Sequence, residues 1–153
     1  TPGRSHLMHI GAYWDPDMEF ENTNWDGPFS GTGKRLVKSH TFAHNLNVLK
    51  ESGHPIVMVY RNDYECLEWW KLCGEFKITY PNYRHFQDLD EMWVHIQKEN
   101  KDIMQFVKNN SHRISRARNN VELCKMLDIK SPRGEHQNFH EYQPKGIQVY
   151  VYK

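Results

Sequence analysis

Lys38, Ser39 and His40 follow directly on the apolar pair Leu36 and Val37. That pattern delivers a cation, a hydroxyl and an imidazole to the carboxyl end of a short buried strand, where open α/β sheets hold their ligands. Side chains two apart share a strand face, so Lys38 and His40 are aimed together. A second run, Pro55-Ile-Val-Met-Val-Tyr60, reads as another buried strand and delivers Arg61 in the same manner. Strand ends carrying Lys, His and Arg suit chemistry on an anion. Fixed cations stabilise charge on a departing oxygen, and an imidazole, which titrates near neutrality, takes a proton from the attacking group.

The elements that hold these groups follow from periodicity and punctuation. A short helix is expected from Ser5 to Gly11, and the turn-rich stretch from Asp15 to Gly33 reads as a loop that walls a site. Phe42, Leu46 and Leu49 have helical spacing, and Gly53 stops that helix. The strand at 55–60 is expected to pair in parallel with the strand at 35–40, as a βαβ unit. Asp63 is expected to cap the next helix, which has Leu67, Trp70 and Leu72 on one side. Asp88 starts a long helical pattern through Leu89, Met92, Trp93, Ile96, Ile103, Phe106 and Val107. Arg113, Arg116 and Arg118 read as a solvated surface. Asn119 or Asn120 caps a helix carrying Val121, Cys124 and Leu127. Ile147, Val149 and Val151 alternate with Gln148, Tyr150 and Tyr152, the pattern of a half-exposed strand. The order is α/β.

The order of these motifs resembles the PAPS-dependent sulfotransferase family, which has a P-loop fold. Lys38-Ser39-His40 and Tyr60-Arg61-Asn62 are similar to its two strand ends. Thr1-Pro2-Gly3-Arg4-Ser5 is similar to its 5′-phosphosulfate loop, with Arg4 in place of Lys, and the stretch from Leu123 to Ile129 followed by Arg133-Gly134 resembles its 3′-phosphate loop. The resemblance implies one three-layer domain over residues 1–153, with a central mostly parallel sheet flanked by helices and its first strand missing before residue 1. It further implies transfer of a sulfuryl group from PAPS to a hydroxyl or amine, leaving PAP. His40 would be the base and Lys38 the electrostatic catalyst. Arg4 and Ser5 would hold the 5′ side, and Arg61, Arg133 and Gly134 the 3′-phosphate. Two departures stand out. Ser5 is followed by His6-Leu7 instead of Gly-Thr, and Trp69 occupies the position of a Ser that would contact the 3′-phosphate. A catalytically degenerate nucleotide- or partner-binding protein of the same fold is therefore an alternative reading. A P-loop kinase or nucleotide hydrolase is another, but Gly27 to Lys34 has the wrong glycine spacing for a Walker A loop, and Arg35 stands where a magnesium-binding Ser or Thr belongs.

Composition bounds these readings. The 153 residues include 20 basic and 19 acidic side chains, a net charge of +1, which gives no general attraction to nucleic acid or to an anionic membrane. The expected partner is a small-molecule acceptor. Three cysteines without a CxxC pair point to reduced thiols and a cytoplasmic setting. His40 and His44 are four apart, but no Glu lies between them and no third ligand is nominated, so no metal is expected. Tyr64, Trp69, Trp70, Phe76 and Tyr80 read as core or pocket wall.

Overall fold

The structure is a computed structural model that describes residues 12–13, 36–37, 41–74, 88–130, 138–141 and 146–153. The chain divides into two compact units, Thr1–Asn45 and Leu46–Lys153. In the first, β1 (Ala12–Tyr13) and β2 (Leu36–Val37) pair in parallel, with Ala12 opposite Leu36 and Tyr13 opposite Val37. A 3₁₀ segment covers Thr41–Asn45.

The second unit runs α1 (Leu46–Lys50), β3 (Ile56–Tyr60), α2 (Asp63–Gly74), α3 (Leu89–Asn109), β4 (Ile114–Ala117), α4 (Asn120–Leu127) and β5 (Gln148–Tyr152). Helix α3 starts where the sequence predicts: Asp88 Oδ1 accepts hydrogen bonds from the backbone N–H groups of Asp90 and Glu91 at 2.8 and 3.0 Å. Met92, Ile96, Ile103 and Phe106 form its buried stripe, each side chain contributing roughly 1.5 to 3 kcal/mol through burial. Asn119 caps α4 by accepting from the Glu122 N–H at 2.9 Å. The Arg118 guanidinium beside Glu122 holds that carboxyl below the usual range.

The sheet has the order β3-β5-β4, with both pairings antiparallel. Ile56 stands opposite Tyr152 and Tyr60 opposite Gln148 on one side, while Ile114 stands opposite Tyr152 and Ala117 opposite Val149 on the other. Phe106 of α3 meets Tyr152 edge-on, ring centroids 5.3 Å apart. The opposite face buries Ala117, Val149 and Phe139 against Val57, Leu123, Met126 and Ile147. Arg113 fastens the end of β5 to the start of β4. Its Nε donates to the Lys153 carbonyl at 2.8 Å and its Nη1 to the Tyr152 hydroxyl at 2.7 Å.

This arrangement overturns the central mostly parallel sheet. Among the described residues, strand β3 does not pair in parallel with Leu36–Val37 as a βαβ unit. Its hydrogen-bonded neighbour is β5, and Leu36–Val37 pairs with Ala12–Tyr13. The physical reason is the tail. β3 and β4 run in the same direction but leave one place between them, and the alternating segment 148–152 fills that place running the other way. The tail strand is accordingly central, with Val149, Val151 and Tyr152 all buried. Two smaller differences also have simple causes. Asn62 caps α2 in place of Asp63, its Oδ1 accepting from the Glu65 N–H at 2.9 Å, because either residue type can cap and the chain turns one residue earlier. Ile114–Ala117, read as plain basic surface, is a strand whose Ser115 and Arg116 remain exposed. Among the described residues no helix is long and apolar enough to cross a membrane.

Gly146 leads into β5 with φ +90°, and a Cβ there would fall on the Glu65 carboxylate. That carboxylate sits at the end of a flexible side chain and can swing aside, so the backbone conformation carries the larger cost. Gly146→Ala is expected to destabilise the protein by about 1 to 2 kcal/mol. The urea midpoint measures this, and an unchanged midpoint would contradict the assigned conformation.

Candidate functional site

Arg61 leaves the sheet at the carboxyl end of β3, one residue before the Asn62 cap of α2. Its own carbonyl is held from two sides, by Asn100 Nδ2 at 2.7 Å and by the Cys66 thiol at 3.3 Å. The same Asn100 amide donates to Asp63 Oδ1 at 2.7 Å. Asn100 is buried at 8 % exposure, Asp63 is half-buried, and the bond between them is charge-assisted.

Two carboxylates close in sequence, Asp63 and Glu65, are natural ion-pair partners for Arg61. Neither takes that role. Asp63 is bonded to Asn100, and Glu65 turns toward Gly146, leaving its Oε2 buried without a hydrogen-bond partner. The Arg61 guanidinium carbon stands 5.9 Å from the centroid of the Trp69 ring, within reach of a cation–π contact. Its Nε is buried and has no acceptor among the described residues. An unspent guanidinium N–H in such a place is costly, and guanidinium groups are the cations best matched to phosphate or sulfate oxygens.

The neighbouring thiol responds to the same charges. Burial pushes the Cys66 thiol up, against the lowering pull of the Arg61 guanidinium and the Asn100 hydrogen bond. The shift favours the protonated thiol that donates to the Arg61 carbonyl. Burial also pushes the Tyr60 hydroxyl up, with the Asp63 carboxylate adding to the effect.

No protein-family model matches the chain, and no curated protein or solved structure matches it either. The site must be judged on its own geometry. Of the residues singled out from sequence, Arg61 is described, at a strand end as expected. Lys38, His40, Arg4, Ser5, Arg133 and Gly134 lie outside the described residues. Trp69, noted for standing where a Ser was expected, does face Arg61. The sequence reading missed Asn100. Its signal was a polar residue in an apolar stripe: Met92, Ile96, Asn100 and Ile103 follow one another at helical spacing, and Asn100 is the member that is not apolar.

Proposed function

We propose that this chain binds a nucleotide carrying a 3′-phosphate, with Arg61 on that phosphate, and that its activity is sulfuryl transfer from PAPS to a hydroxyl or amine. The observation that carries the anion site is the Arg61 guanidinium, which two nearby carboxylates leave unneutralised and whose buried Nε has no acceptor among the described residues. The choice of cofactor rests on the order of the motifs at Lys38-Ser39-His40, Arg61-Asn62 and Arg133-Gly134. It does not rest on the sheet, whose antiparallel pairing departs from that family's architecture. In the reaction, His40 takes the proton of the acceptor oxygen or nitrogen as the acceptor–sulfur bond forms. Lys38 stabilises the bisphosphate that departs as the sulfur–oxygen bond breaks.

Trp69 favours a second reading, a nucleotide- or partner-binding protein without turnover. An indole against Arg61 stands where the resemblance calls for a serine hydroxyl on the phosphate. Calorimetry separates the cofactor claim from general anion affinity. Adenosine 3′,5′-bisphosphate is expected to bind more tightly than AMP, and Arg61→Ala is expected to erase most of that preference, at a cost of about 1.5 to 3 kcal/mol. Equal affinities for the two nucleotides in the unmutated protein would overturn the assignment.

A further inference from the structure

Helix α3 interrupts its apolar stripe with Asn100, a substitution that sacrifices burial at that position unless its polar atoms are used. They are used on the Arg61 corner, where one amide group bonds both the Arg61 carbonyl and the Asp63 carboxylate at 2.7 Å. Asp63 is the nearest acidic residue to Arg61 in sequence, and the fields of both reach the Cys66 thiol. Left to itself, that carboxylate would turn to the guanidinium. We propose that Asn100 is a positioning residue of the anion site, holding Asp63 away from Arg61 so that the guanidinium stays open to an anionic ligand. The inference rests on the anion-binding reading of Arg61 and adds the device that keeps Asp63 from neutralising this cation.

Four proteins test it: the unmutated chain, Asn100→Ala, Asp63→Asn and the double variant. Affinity for adenosine 3′,5′-bisphosphate is read by calorimetry, and the Arg61 Nε–H resonance by nitrogen-15 NMR without ligand. Asn100→Ala is expected to weaken binding about tenfold and to shift the Nε resonance as Asp63 closes on the guanidinium. Asp63→Asn alone removes a negative charge near the guanidinium and is expected to raise affinity modestly, the opposite direction to Asn100→Ala. In the double variant the freed side chain has no charge, so affinity returns to within about threefold of the unmutated value and the resonance returns with it. A double variant as weak as Asn100→Ala would assign Asn100 a purely structural role and overturn the inference. If the unmutated chain binds no nucleotide, the proposed function falls. The ligand-free resonance then decides the present point: a shift in Asn100→Ala that reverts in the double variant upholds the restraint, and an unmoved resonance overturns it. Should Asn100→Ala fail to fold, Asn100→Ser, which keeps a single donor for two acceptors, is measured in its place.

Discussion

Replacing Phe106 with alanine is expected to destabilise the protein by about 3 to 5 kcal/mol, a large part of the 5 to 15 kcal/mol that holds most domains together. Phe106 is 3 % exposed on the buried stripe of α3, and its ring packs edge-on against Tyr152. Truncation opens a void between the long helix and the central strand. Its backbone carbonyl would still receive Asn110, whose N–H and side-chain amide both donate to it, so the helix end keeps its anchor and the loss is one of packing. Urea unfolding measures the change. Leu72→Ala is the control, because Leu72 is 77 % exposed and such a site is expected to shift stability by no more than about 0.5 kcal/mol. Similar losses in the two variants would contradict the assignment of the core.

The second large effect concerns turnover. If His40 is the base of the proposed sulfuryl transfer, His40→Ala is expected to lower the rate by roughly 10²- to 10⁴-fold with little change in nucleotide affinity, since the base acts on the acceptor proton. Lys38→Ala is expected to act on the same step, because its charge matters most as the phosphate departs. Rates with a panel of hydroxyl and amine acceptors, measured beside nucleotide affinity, check both. A chain that binds the bisphosphate but transfers to no acceptor favours the reading without turnover. Loss of folding in His40→Ala would make His40 a structural residue.

The parts of the fold that were legible in sequence are those with strong local signals. Asp88 and Asn119 announced their helices because an uncapped first turn leaves N–H groups that these side chains are built to accept. The tail announced a strand because its period is two. That same period says which face a residue takes and nothing about which strand lies beside it, so β5 was recognised while its central place was not. Ile114–Ala117 contains too few apolar residues to signal a strand. At the site, Arg61 was legible from its position after an apolar run, but the restraint on Asp63 comes from Asn100, on a different helix. No local pattern around Arg61 encodes that contact, although the polar break in the α3 stripe marks the residue that makes it.

The central place of β5 also fixes an order of events during synthesis. β3 and β4 emerge from the ribosome long before Gln148–Tyr152 and cannot bond to each other across the empty place between them. Until Gln148–Tyr152 arrives, both strands present open edges, and the apolar β3 most of all, the kind of surface through which nascent chains stick to one another. Closing the sheet then requires contacts such as Ile56 with Tyr152, which are distant in sequence, and contacts of that range slow folding. The chain therefore completes its sheet only after translation of the segment that fills the middle, and its yield in a cell depends on how well β3 and β4 are shielded while they wait.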